Sequence, residues 1–213
     1  MYKHGKNLRL MDERSIFIDD GVVIGDDVTI YENNRIEGAT VIGDGAVLLP
    51  GNYIKDTVIG RGVTFNVSQS ESAEVGDGSS VGPYARLRPG AKIGREAKIG
   101  NFVEIKNATV GDGTKVSHLA YVGDADVGAE CNIGCGVIFV NYNGRTKSRT
   151  TVGDDCFIGS NCNVIAPVNI ERGSYIAAGT TVCEDIKEDD FVIGRPRAAI
   201  KPQRAHNYLK EKR

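Results

Sequence analysis

The sequence predicts an all-β fold, a parallel β-helix of six-residue repeats, on three observations. Large aliphatic residues recur at steps of six: Ile18, Ile24, Ile30, Ile36, Ile42, Leu48 and Ile54; Val75, Val81, Leu87, Ile93, Ile99 and Ile105; Val152, Ile158, Val164, Ile170, Ile176 and Val182. Two further features lock to this frame. Glycine often follows the aliphatic residue (Gly25, Gly43, Gly76, Gly94, Gly100, Gly153, Gly159), and a small or β-branched residue recurs four places after it (Val28, Ala46, Ser79, Ala85, Ala97, Ser174, Thr180). Glycine is also abundant, 27 of 213 residues, against a usual share of roughly 7%.

A period of six suits neither an amphipathic helix nor a plain alternating strand. It suits a short strand followed by a sharp corner, with the aliphatic and the small residue pointing inward. Three such sides close a coil, and stacked coils bury a continuous core. About nine coils at ~4.8 Å each give a prism roughly 40 Å long.

Taken in chain order, residues 1–15 are a short lead-in, and the repeats then run to 194 as one domain. The frame slips by one between Ile54 and Ile59, Ile105 and Val110, and Val122 and Val127. Residues 63–74 read as a degenerate coil between two repeat blocks. The polar stretch 140–151, VNYNGRTKSRTT, is too long for a corner and is expected to project as a functional loop. The tail, 195–213, has lost the repeat and is expected to cover the last coil, whose open end exposes unpaired backbone.

Composition narrows the function. A net charge of −2 gives no basic footprint for nucleic acid or a membrane surface. No run of about 18 apolar residues marks a membrane span, and the N-terminus lacks the apolar core of a signal peptide, so a cytoplasmic address is expected. Of the five cysteines, Cys131, Cys156 and Cys162 fall at the small inward position and are expected to be buried thiols rather than disulfides. Neither GxGxxG nor GxxxxGK[ST] occurs, so no nicotinamide or ATP chemistry is suggested. Three histidines, with His4 and His206 outside the repeats, make a three-histidine zinc site a poor reading; no metal is expected.

Stacking turns spacing into geometry. Arg88 and Lys106 are 18 apart, each one place after its aliphatic residue, so they lie on neighbouring rungs. Two cations so placed repel by about 1 kcal/mol even in water, an arrangement that makes sense around an anion; two splayed surface cations are the bland alternative. Arg86 and Glu104 read as an opposite-charge ladder on the adjoining line. His118, two places after Val116, falls at a corner and is the one histidine within the repeats. It is either an ordinary surface residue or a base.

The runs VGPYARLRPG, IGNFVEIKNATVGDGTKVSHLAYVGDADVG, NIGCG, NYNGRTK and IGSNCNVIAPV resemble one family in particular. It is the hexapeptide-repeat acetyltransferase half of the bifunctional N-acetylglucosamine-1-phosphate uridyltransferase/glucosamine-1-phosphate acetyltransferases. The resemblance is strong over roughly 75–195. It implies a left-handed β-helix, an exception to the usual handedness of parallel crossovers. It also implies a homotrimer with sites between neighbours, and acetyl-coenzyme A as donor to the amine of glucosamine 1-phosphate.

By motif match, His118 resembles the general base and Glu104 an acidic residue near it. Arg88 and Lys106 match residues that hold the sugar phosphate, Tyr121 and Asn132 match sugar contacts, and Lys147 matches a loop lysine near the phosphate. Asn141 and Tyr142 match residues beside the thioester; Ser160, Ala178 and Arg195 match the coenzyme side. Cys135 stands where alanine is common, close to the thioester. The sequence departs from the family at Asn143, which replaces a carboxylate, and in the tail, which lacks a tryptophan. The family's uridyltransferase half has no counterpart in these 213 residues.

Two other readings stay open. One is a hexapeptide acyltransferase with a different acceptor. The other is a non-catalytic β-helix serving oligomerisation or regulation, partnered by a separate nucleotidyltransferase chain.

Overall fold

The computed structural model describes residues 2–205. Its strands, two to four residues each, form three parallel sheets of ten, eleven and ten strands. The first sheet runs from Lys3–His4 to Asn169–Ile170, the second from Arg9–Leu10 to Phe191–Val192, and the third from Phe17–Ile18 to Thr181–Val182. Consecutive strands go to successive sheets, so the chain winds as a parallel β-helix, and the helix is left-handed.

The repeat aliphatics stack in register inside it. In the third sheet Leu87 pairs with Ile105 and Ile105 with Val122; in the second, Ile99 pairs with Val116 and Val116 with Ile133. Each of these residues is at most 1% exposed. Burying an aliphatic side chain contributes about 1.5–3 kcal/mol, so the ladders are the main stabilising element. The small inward residues add a hydrogen-bond ladder: Ser79 Oγ donates to the Gly94 carbonyl at 2.7 Å and Thr114 Oγ1 to that of Gly128 at 2.7 Å. Cys131 and Cys156 continue it, with their thiols donating to Gly153 and Glu171 carbonyls at 3.1 and 3.2 Å. The thiol–thiol contact with Cys156, and then burial, push the Cys131 thiol well up. Cys162 is also buried, whereas Cys135 and Cys183 are exposed.

Each frame slip is a tight corner with one residue in the left-handed region: Asp56 (φ 47°), Asn107 (φ 45°) and Asp124 (φ 48°). Short polar side chains tolerate that conformation best, which is why Asx residues occupy these corners.

Three expectations are corrected. The coil stack starts in the lead-in, because Lys3–His4 pairs with Val23–Ile24; His4 is therefore part of a strand, and the coils exceed nine. Residues 63–74 are a regular coil, with Phe65 and Ser70 taking the inward positions of aliphatics. The projecting loop is shorter than 140–151, because Val140 ends one strand and Thr150–Val152 forms the next. Residues 196–205 are exposed throughout; residues 206–213, with His206, lie outside the described residues.

Candidate active site

The site forms at two corners of the prism, and the register that stacks the core also places it. On the second sheet Asn101 pairs with His118. Ile133 pairs with Ile158 and Ile158 with Ile176. Two residues beyond those aliphatics come Cys135, Ser160 and Ala178. Asn101, His118, Cys135, Ser160 and Ala178 thus share one corner line on successive rungs, each ~4.8 Å from the next. Arg195 reaches the same line, its Nη1 donating to the Ala178 carbonyl at 2.7 Å. Asn132 lies on the outer face of that sheet, between Lys115 and Phe157.

Bulky residues turn this corner in the left-handed region: Tyr84 (φ 59°), Phe102 (φ 57°) and Leu119 (φ 44°). Such residues rarely adopt it, and each costs about 1–3 kcal/mol. They are 59%, 58% and 58% exposed, and the Tyr84 and Phe102 rings stack at 5.5 Å. The strain falls directly after Asn101 and His118. His118 Nδ1 lies 2.5 Å from Asn101 Oδ1.

Across the corner, on the third sheet, come Arg88, Glu104, Lys106 and Tyr121. Arg86 and Glu104 are register partners as expected, but the ion pair is a different one. Arg88 Nη1 donates to Glu104 Oε1 at 2.7 Å, with both side chains about one-third exposed (35% and 34%). This corrects the charge ladder: Glu104 pairs with Arg88 rather than Arg86, so the Arg88 charge is already balanced by protein.

Two further cations, Lys106 and Lys147, lie together here. Contact with Lys106 lowers Lys147, chiefly through the shared polar contact and then through charge. Asp124 lies beneath them, 8% exposed. It accepts from Asn107 Nδ2 at 2.6 Å and from Asn141 Nδ2 at 2.5 Å. Burial pushes its carboxyl up, but the two amide donors and the charges of Lys106 and Lys147 outweigh that and hold it below the ordinary range.

The projecting loop brings Lys147 here. Asn141 ties its start to Asp124 and also reaches the Tyr121 hydroxyl at 3.4 Å. At its end Arg149 makes a two-point contact with Asp126 and donates to the Asn107 carbonyl at 2.9 Å. Between them Tyr142 bridges to Lys147. Asn143 Oδ1 accepts from the backbone N–H groups of Arg145 and Thr146 at 2.9 and 2.8 Å. That is a turn that Asn and Asp side chains both supply, so Asn143 forms it without a carboxylate.

The structure therefore gathers Lys106, Tyr121, Asn141 and Lys147 into one cluster, with Arg88–Glu104 one rung away. His118, Cys135, Ser160, Ala178 and Arg195 lie along the corner, and Asn132 beside it. Sequence reasoning missed Asn101 and Asp124. Both left a signal: Asn101 follows Ile99 by two, as His118 follows Val116, and Asp124 sits at a frame slip.

Fold and repeats together define a hexapeptide-repeat protein. Residues 72–107 match the model described as bacterial transferase hexapeptide (six repeats), and residues 149–183 that of the hexapeptide repeat of succinyl-transferase. More particularly, the chain resembles bifunctional protein GlmU. It is 47% identical to that of Clostridium novyi over 196 residues, 92% of this chain and 43% of the relative. It is 42% identical to that of Shouchella clausii over 206 residues, 97% of this chain and 44% of the relative. The chain thus spans less than half the length of these curated relatives. Among solved structures, an Arabidopsis UDP-N-acetylglucosamine acyltransferase superimposes with a TM-score of 0.62 at 17% identity, over 83% of this chain and 68% of that one. This last likeness concerns the fold alone.

Proposed function

We propose that the chain is an acyl-coenzyme-A-dependent N-acyltransferase that moves an acetyl group from acetyl-coenzyme A to the amine of glucosamine 1-phosphate. The observation that carries the reading is the pair of neighbouring corners that flank the third sheet. A histidine held through Nδ1 stands at one of them on a line of small and polar residues, and a cluster of two lysines lies at the other, across that sheet. Likeness to the bifunctional GlmU proteins supports the same activity.

In this reading the sugar phosphate binds Lys106 and Lys147, with Arg88 one rung away. A dianion there relieves the repulsion between the two lysines. Tyr121 and Asn132 orient the sugar. The coenzyme lies along Cys135, Ser160 and Ala178, with Arg195 and Tyr142 on its flanks. The amine nitrogen attacks the thioester carbonyl, His118 Nε2 takes the amine proton, the carbon–sulfur bond breaks, and the coenzyme leaves as a thiol once protonated. Base catalysis of this kind contributes roughly 10²–10⁴-fold, with positioning adding the rest.

The exposed ridge of Tyr84, Phe102 and Leu119 beside His118 supports a second copy packing against the site, and we propose a homotrimer. Light scattering at micromolar concentration tests this; a monomer contradicts it.

The activity is tested by thiol release from acetyl-coenzyme A against amino sugars and their phosphates. Fastest release with glucosamine 1-phosphate supports the reading. Release without preference for a phosphorylated sugar removes the acceptor assignment.

A further inference from the structure

We propose that Asn101 is the positioning residue of His118, holding the imidazole as the Nδ1–H tautomer so that Nε2 keeps its lone pair. The inference rests on the reading of His118 as the base.

The argument begins with register. Asn101 and His118 are Cα partners at the ends of the strands Lys98–Asn101 and Lys115–His118. Two partners in adjacent parallel strands stay about one strand spacing apart, so a short amide and an imidazole meet without either leaving its rung. Their backbones are joined as well: the Leu119 N–H donates to the Asn101 carbonyl at 2.9 Å. The approach is close beside them, since a Cβ at Gly100 would lie 1.9 Å from the Ser117 carbonyl oxygen. Glycine at that position lets the two strand ends come together.

Chemistry then fixes the proton. The 2.5 Å contact is between His118 Nδ1 and Asn101 Oδ1. An amide oxygen only accepts, so Nδ1 must carry the hydrogen. In the neutral ring the other nitrogen is then the acceptor, and which nitrogen is protonated is set by the partner of its neighbour. The partner at Nδ1 is this neutral amide, while the Glu104 carboxylate pairs with Arg88. A neutral partner fixes the tautomer without the charge that would stabilise an imidazolium.

The test is made on the full chain, with imidazole ¹⁵N spectra recorded above the titration of His118. The wild type is expected to show the Nδ1–H tautomer at His118, and Asn101→Ala a shift toward Nε2–H. In steady-state kinetics with acetyl-coenzyme A and glucosamine 1-phosphate, Asn101→Ala should lose at least about 10-fold in kcat, within the span of general-base catalysis. Both KM values should hold. Asn101→Asp should restore kcat and move the acidic limb of its pH profile upward, because a carboxylate beside the ring favours the imidazolium. A merely structural role for Asn101 moves neither the tautomer nor that limb. A wild-type Nε2–H tautomer, or wild-type kcat and pH profile in Asn101→Ala, overturns the proposal. Failure of the underlying reading is distinguishable: it appears as unchanged turnover in His118→Ala, whereas the tautomer is read without turnover.

Discussion

Replacing Arg88 by alanine tests the acceptor site where the structure differs most from simple stacking. Arg88 donates from Nη1 to Glu104 Oε1 at 2.7 Å, one rung from Lys106. In the proposed reading Arg88 also donates to the sugar phosphate, and the substitution removes that charge-assisted bond, worth about 1.5–3 kcal/mol. At about 1.36 kcal/mol per factor of ten, kcat/KM for glucosamine 1-phosphate should fall by roughly 10–150-fold. It also leaves the Glu104 carboxylate unpaired beside the phosphate, which pushes the effect toward the upper end. Adding Glu104→Gln should therefore recover part of the loss. Folding should hardly change, because an ion pair about one-third exposed contributes at most about 1 kcal/mol. The assay is steady-state kinetics on glucosamine 1-phosphate and on unphosphorylated glucosamine, whose slower use should change little. Equal small losses on both sugars, repeated in Lys106→Ala, would refute the reasoning and place the anion elsewhere.

His118→Ala should lose at least about 10²-fold in kcat while its circular dichroism and coenzyme binding stay as in the wild type; unchanged turnover removes His118 from the mechanism. Ile105 is fully buried in the third-sheet ladder, so Ile105→Ala should cost about 2–5 kcal/mol of unfolding free energy in urea. For Asp124 the folded pKa is lowered. Its stabilising contribution is complete above the unfolded value, about 3.9, and is lost as pH falls through the lower folded value. Acid titration followed by limited proteolysis of the 141–149 loop should show that loss in the wild type and a flatter acid limb in Asp124→Asn.

The core was the most legible part of this protein, for a physical reason. A coil admits a large side chain only at fixed intervals, so Ile99, Val116 and Ile133 announce their own stacking, and even the one-residue slips correspond to real corners. What resisted reading lay where other residues meet the same steric demand. Phe65 and Ser70 fill inward positions without being aliphatic, which disguised a regular coil. Stacking also placed Arg88 correctly against Lys106, and Arg86 against Glu104. It did not tell which cation Glu104 would bind, because side-chain torsions decide that after the backbone is set. Lys147 entered only through family resemblance, since no period links a projecting loop to the rung it folds over. Asn101 was within reach of the frame arithmetic, but a lone amide carries no chemical signal until its partner is known.

The most direct test of the account is the identity and amount of product in a single incubation. Acetyl-coenzyme A, glucosamine 1-phosphate and the protein are mixed, and free thiol and sugar product are quantified together, the latter by mass spectrometry. Direct attack by the amine predicts N-acetylglucosamine 1-phosphate equal to the thiol released, and no thiol when the sugar is left out. Thiol released without the sugar, or no acetylated sugar phosphate at all, would contradict it.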